Sequence, residues 1–313
     1  MMNGYTFMPI VLLFHMTMIS LQYILEKEKS SEKFVFFLFS KELNDNVFED
    51  LEKAHWNKLY QITPTTFIFQ YKGRAINDAI GDVKRKFKNQ LIEIEQVKNY
   101  IEVIRTNETS LDQNQTYFED LVQPNLVCDH YYGMGVENAW SRGYSGKGVV
   151  VAVTDIGINT DLIDLQPNID GNLCFNFINN STNVTAEYLH SYREESFTDH
   201  GNRCASLIAA VKGNEVCSAG IAFNASIAAL KMFGAYRDYP KYTHAWSSSD
   251  MMARSHVYGP DKTDIYSNSW GPTEPFSEIG LDRREAMRSS AKTVSRRPSS
   301  YFLNKIIVEH KQI

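Results

Sequence analysis

No uninterrupted apolar run in the 313 residues is long enough to cross a bilayer. The longest candidate, Phe7 to Leu21, is broken by Pro9 and His15 and falls short of the ~20 residues a span needs. Followed by the charged run Glu26–Lys33, it predicts a signal peptide over residues 1–22, cleaved near Ser20 to Tyr23, although its start carries no Lys or Arg. That segment is then the chain's only expected dealing with a membrane. A basic excess is missing too. Against 32 Lys and Arg stand 37 Asp and Glu, a net charge of −5, so nucleic acid is not an expected partner. Cysteine is scarce: Cys128, Cys174, Cys204 and Cys217 are an even number, which in a secreted chain invites two disulfides. What is present is enough apolar content, 43% of the chain, for one or two cores. Six Asn-x-Ser/Thr triplets, at Asn107, Asn114, Asn179, Asn180, Asn183 and Asn224, fit passage through the secretory pathway and glycosylation. Neighbouring triplets cannot all be modified, and Asn107, Asn114, Asn180, Asn183 and Asn224 are the expected sites.

Chemistry concentrates in residues 196–210, SFTDHGNRCASLIAA. Cys204, Leu207, Ile208 and Val211 recur at helical spacing and predict a buried helix, with small residues between them that allow close packing. His200 falls at the helix mouth. Upstream, Gly148 to Gly157 reads GVVVAVTDIG, a continuous apolar run ending in Asp155. It predicts a strand buried on both faces in a parallel sheet, with Asp155 at the carboxyl end, where reactive groups collect in open α/β sheets. Downstream, Ile265 to Pro272 predicts another short strand.

An acid after one strand and a histidine opening a helix, in the order Asp then His, match a subtilisin-type arrangement. The strings GYSGKGVVVAVTD (143–155), HGNRCAS (200–206), NEVCSAGIAFNASIAALKM (214–232) and IYSNSWGP (265–272) resemble the proprotein convertases, the furin and kexin branch of the subtilases. With the leading region the resemblance covers roughly residues 33–274. It implies an α/β fold: a partial subtilisin-like parallel sheet with flanking helices, preceded by a small α+β pro-domain over 33–105. The peptidase part spans 106–274, and a divergent tail over 275–313 is expected to be disordered. It also implies that Asp155 orients His200, that His200 serves as general base and then acid, and that Ser269, Trp270, Gly271 and Glu274 line the substrate cleft. Calcium is implied, held by Asp120, Asp164, Asn214 and the carbonyl of Val216. Cys204 resembles the family's free cysteine, and Cys217 one whose partner lies further along than residue 313, so two disulfides are not expected.

The leading region carries its own pattern. Strands at Phe34–Phe39, Tyr60–Ile62, Thr65–Tyr71 and Leu91–Val97, with amphipathic helices at Val47–Leu59 and Ala75–Phe87, give the order βαββαβ of a ferredoxin-like unit. The resemblance makes it a pro-domain acting as an intramolecular inhibitor. A short helix is expected over Tyr131–Arg142.

The sequence departs from the family in several places. Lys98 to Arg105 has one arginine and no basic pair for self-cleavage. Ile156 and Phe197 stand at acidic specificity positions of the family and another such position falls near Met252, while Glu274 stands where the family has an acid. No Gly-Thr-Ser-Ala nucleophile motif and no oxyanion asparagine segment follows residue 274, and Ser289 and Ser290 lack the glycine of a nucleophile turn. The expectation is a secretory serine endopeptidase that cuts proproteins or peptides after basic residues, present as an incomplete and inactive chain. The alternative is a non-catalytic relative whose pro-domain binds and inhibits an intact convertase.

Overall fold

The computed structural model describes residues 33–97, 99–105, 135–186, 198–215, 219–238, 242–271 and 279–294. The expected signal segment, Cys128, Cys217, Phe197 and Glu274 lie outside them. No helix among the described residues is long and apolar enough to cross a membrane. The chain packs as two compact units.

The first unit gathers residues up to Val103 together with Tyr236–Val257 and Ile279–Ser289. Its leading elements are β1 (Phe34–Phe39), α1 (Asp45–Lys53), β2 (Trp56–Thr63), β3 (Thr66–Tyr71), α2 (Ile76–Lys86), β4 (Leu91–Gln96) and β5 (Asn99–Arg105). Four strands form a sheet in the order β2-β3-β1-β4, with every pair antiparallel. The first helix begins at Asn44, whose side-chain oxygen accepts from the Val47 amide at 3.2 Å. It is shorter than the pattern predicts. His55 takes a left-handed φ of 67°, which turns the chain, so Trp56 enters the sheet as a strand residue and not a helical one. Its ring, 1% exposed, lies between Phe37 and Tyr71, with centroids at 5.0 and 4.7 Å.

Strand β1 explains the rest of this unit. All of Val35 to Phe39 is buried, although an antiparallel sheet commonly leaves one face wet. Val35, Phe37 and Phe39 pack with Leu51 of α1 and Ala79 and Val83 of α2. Phe36 and Leu38 point the other way, into a second cluster with Ala253, Leu281 and Ala286. Those three come from α5 (Ser249–His256) and α6 (Leu281–Val294). The first unit thus draws segments from both sides of the boundary expected at residue 105. Within the tail expected to be disordered, 281–294 is a helix whose first amide, on Leu281, donates to Glu95 Oε2 at 3.2 Å. Burial pushes up the pKa of the neighbouring Asp282 carboxyl. Strands β9 (Gly234–Asp238) and β10 (Tyr242–Ser248) join β5 in a three-stranded sheet ordered β5-β10-β9.

The second unit is a parallel sheet ordered β11-β6-β8-β7. Its strands are β6 (Val150–Asp155), β7 (Phe175–Asn176), β8 (Ser226–Lys231) and β11 (Ile265–Ser267), accompanied by α3 (Val136–Ser141) and α4 (His200–Ala209). The central pair β6 and β8 run in register from Val150–Ser226 to Asp155–Lys231. Val151, Val153, Ile227 and Ala229 face α4. The apolar run around Asp155 is thus a strand with its acid at the carboxyl end, as the pattern predicts. Replacing Trp56 with Ala should remove ~3–5 kcal/mol from the unfolding free energy, the usual cost of a buried aromatic deletion. Denaturant titration of the full chain measures this; a loss below ~1 kcal/mol would mean that the ring does not hold the first unit together.

Candidate active site

The site begins with a backbone approach. Helix α4 does not bury Leu207, which is only partly covered. Its most buried positions are Gly201, Ala205 and Ala209, a stripe of small residues that lets it lie against β6. At Gly201 a Cβ would overlap the carbonyl oxygen of Gly157 and come within 3.2 Å of Asp155 Oδ1. Only a residue without a side chain fits there. Gly157 itself sits at φ 136°, hemmed by the Val184 carbonyl.

This approach brings two side chains together. His200 Nδ1 lies 2.9 Å from both carboxylate oxygens of Asp155. The carboxylate is buried, and its Oδ1 also accepts from the Ile156 amide at 2.7 Å. The imidazole is half-open, 39% exposed. Its hydrogen bond to Asp155, reinforced by Cys204, raises the His200 pKa from 6.5 to about 10 against the opposing effect of burial. Nδ1–H held by a carboxylate leaves Nε2 as the ring's outward atom, the orientation a general base needs.

Residues that the sequence reading passed over lock the pair in place. Asn202 Oδ1 accepts from the Asn159 amide at 2.7 Å, while its Nδ2 donates to Asp199 Oδ1 at 2.5 Å. That ties the first turn of α4 to the loop after β6. Thr154 Oγ1 donates to Asn268 Oδ1 at 2.6 Å, and Lys231, in register with Asp155, is buried with Nζ donating to the Thr185 carbonyl at 3.0 Å. Asn202 lay inside the HGNR string and could have been singled out as the polar residue on the same turn as His200. Asn268 and Lys231 gave no such signal.

The expected cleft residues follow β11. Trp270 Nε1 donates to the Thr154 carbonyl at 2.9 Å, so its indole is pinned to β6 beside Phe233, 5.6 Å away. Ser269 and Gly271 flank it, half-exposed, and a Cβ built on Gly271 meets only open space. Of the specificity positions, Ile156 and Met252 are buried. Of the expected metal ligands, Asp164 and Asn214 meet: Asp164 Oδ1 accepts from Asn214 Nδ2 at 2.5 Å across fifty positions of chain. Asp120 and Val216 lie outside the described residues. So do Asn107 and Asn114, whereas Asn180, Asn183 and Asn224 are exposed. Among the described cysteines, Cys174 and Cys204 are free thiols.

Two outcomes test this geometry. The His200 imidazole should titrate by NMR near pH 10 and fall toward 6.5 in Asp155→Asn. Because the folded value is the raised one, the pair's contribution to stability is whole below pH 6.5 and is lost as pH climbs through about 10. An unfolding free energy that stays flat over that window would contradict the pairing. Gly201→Ala should cost ~1–3 kcal/mol through overpacking and pull the His200 titration down with it.

Residues 146–306, more than half of the chain, match the subtilase family, peptidase S8. The match continues past residue 274, beyond the stretch that the sequence motifs alone delimit. Human neuroendocrine convertase 2 is 32% identical over 163 residues, 52% of this chain and 24% of that protein. Furin-like protease 2 of Drosophila melanogaster is 36% identical over 147 residues, 47% of this chain and 8% of that protein. The chain thus spans under a quarter of the length of these relatives. Fervidolysin from Fervidobacterium pennivorans, a keratinolytic enzyme related to subtilisin, superposes with a TM-score of 0.52 at 14% identity, covering 84% of this chain and 38% of that one. A variant of the epidermin leader peptide processing serine protease of Staphylococcus aureus gives 0.51 at 12%, over 84% and 58%. At such identities these two speak for the fold alone. With an acid at the end of a buried parallel strand bound to a histidine opening the next helix, and with these matches, the chain belongs to the subtilase family and is similar, over about half of its length, to proprotein convertases.

Proposed function

We propose that the chain carries the pro-domain and the Asp–His portion of a secretory serine endopeptidase that cleaves proproteins after basic residues. The observation that carries this reading is the Asp155–His200 pair at the carboxyl end of β6. In such an enzyme the pair activates a serine hydroxyl and then protonates the leaving amine. Residues 1–313 contain no Gly-Thr-Ser nucleophile motif, so they hold the base without its nucleophile.

The pro-domain reading draws on β1. Its second apolar face, Phe36 and Leu38, is covered by helices from the peptidase stretch of the same chain. The sheet order β2-β3-β1-β4 in a βαββαβ chain is that of a ferredoxin-like unit. A domain whose binding face is already satisfied within its own chain acts on itself, which favours the intramolecular inhibitor over the decoy that captures an intact relative. Specificity for basic side chains is weakened. By the family resemblance Ile156 stands at one acidic position and another falls near Met252, and each lost charge-assisted contact is worth ~1.5–3 kcal/mol.

Calcium would fit between Asp164 and Asn214 once the Asn214 amide, whose Nδ2 donates to Asp164 Oδ1, turns its oxygen toward the ion. Both residues offer oxygen donors to a hard cation, and they join the loop after β6 to the loop after α4. The ion would supply cross-linking charge there and takes no part in the chemistry of the dyad.

Purified 1–313 should leave a basic fluorogenic peptide uncut; turnover that His200→Ala abolishes would refute the missing nucleophile. Transcript sequence continuing in frame past codon 274 to a Gly-Thr-Ser motif supports the peptidase, while its consistent absence refutes it. Calcium should raise the melting temperature, by ~2.7 kcal/mol of stabilisation at a hundred times its Kd, and Asp164→Ala should abolish the rise. An equal rise in that variant would remove the ion from this loop.

A further inference from the structure

Next to the dyad stands a third group with no part in peptide hydrolysis. Cys204, one turn along α4 from His200, places Sγ 3.9 Å from both Nδ1 and Nε2. Equal distances put the sulfur beside the ring, off the lone-pair line of either nitrogen, so it is not lined up as a nucleophile for His200 to activate. It is instead one corner of a cluster. A carboxylate oxygen of Asp155, a ring nitrogen of His200 and Sγ of Cys204 all lie within 4.8 Å of one another. This is the one such group of three among the described residues.

We propose that Asp155, His200 and Cys204 form a binding site for a borderline-soft divalent cation of the zinc class. Zinc takes thiolate sulfur, imidazole nitrogen and carboxylate oxygen at ~2.0–2.3 Å, and ligand atoms on one such ion lie about 3–4 Å apart. The Nδ1–Oδ and Nδ1–Sγ separations of 2.9 and 3.9 Å are already in that range. A small turn of the imidazole and the thiol aims their donor atoms at a common point. Three protein ligands with a fourth position open is the pattern of an accessible zinc site, not a closed structural one, and the open side here is the exposed edge of His200. Oxygen-only chemistry does not describe this cluster. The sulfur sets it apart from the Asp164–Asn214 contact, which suits calcium.

The proton balance is simple. The ion displaces the thiol proton of Cys204 and the proton shared between Nδ1 and Asp155, and both pass to solvent. While the ion is bound, His200 has no free nitrogen directed as a base, so metal and catalysis exclude one another. The inference does not depend on the peptidase reading, because it concerns binding alone.

Cadmium, a spectroscopically visible stand-in for zinc, provides the test. Titrating the full chain with Cd2+ should produce an ultraviolet sulfur-to-cadmium charge-transfer band that saturates at one equivalent and is displaced by Zn2+. Loss of even an outer partner of a metal ligand costs about 10–100-fold in affinity, so Cys204→Ser should weaken binding at least as much. His200→Gln is the sharper variant. It keeps every thiol, so a band of undiminished affinity in it would place the cadmium elsewhere and overturn the site. No band in the parent chain would do the same. Cys128→Ala and Cys217→Ala should leave the band in place, and its loss in either would assign the sulfur ligand to that residue and overturn the role of Cys204. Circular dichroism on Cys204→Ser and His200→Gln confirms that their losses are not unfolding; should either be unfolded, Cys204→Ala and His200→Asn carry the comparison.

Discussion

The whole site depends on one close approach, that of the first turn of α4 to the backbone just past β6. Gly201 makes it sterically possible, because any Cβ there would collide with the Gly157 carbonyl. Gly157 answers with a backbone conformation that L side chains rarely adopt. Once the two segments touch, the Asp155–His200 bond forms with little freedom left to lose, since Asn202 fixes the helix mouth and Ile156 fixes the carboxylate. The raised basicity of the imidazole follows from that hydrogen bond, with Cys204 adding to it and burial of the ring opposing it.

The parallel sheet serves this approach. Strand β6 is held on one side by β8 and on the other by β11, so Asp155 projects from a strand that cannot shift. Thr154, one residue before the acid, is bound through its hydroxyl to Asn268 and through its carbonyl to Trp270. Asn268 and Trp270, which follow β11, therefore also fix the depth of the Asp155 carboxylate. A change at Trp270 is felt at the dyad through Thr154.

How much of this was legible in the sequence follows from the kind of force involved. The continuous apolar run ahead of Asp155 announced a strand buried on both faces, because nothing else tolerates so little polarity. The His-Gly pair announced the helix mouth. The reading of α4 was right in place and wrong in face: Cys204, Leu207 and Ile208 look like the buried stripe by hydrophobicity, but depth is set by how close the backbones come, and that favours Gly201, Ala205 and Ala209. The first helix was drawn too long because periodicity cannot see a single left-handed residue, His55. Helix α6 was missed for the opposite reason. Its sequence is charged and nearly without a stripe, and its two buried apolar residues, Leu281 and Ala286, gain their place only from contact with β1, some 245 positions upstream. The apolar run in β1 did hint at this, since an antiparallel central strand buried on both faces needs a second layer from somewhere.

The dyad and the chemistry it belongs to must be kept apart for a reason of topology. The hydrogen bonds of Asp155 with His200 and Ile156, and of Asn202 with Asn159, come from β6, the loop behind it and the first turn of α4. None of these needs the element that would bring a nucleophile. An Asp–His pair of good geometry is thus a property of this local unit, and it would be expected to survive in a chain that carries no serine at all. It is evidence of descent and of a positioned base, not by itself of hydrolysis. The same locality makes the neighbouring thiol consequential. Beside the imidazole stand the Asp155 carboxylate and the Cys204 thiol, and a pair of such donors around one ring is a setting for a metal ion as much as for a proton.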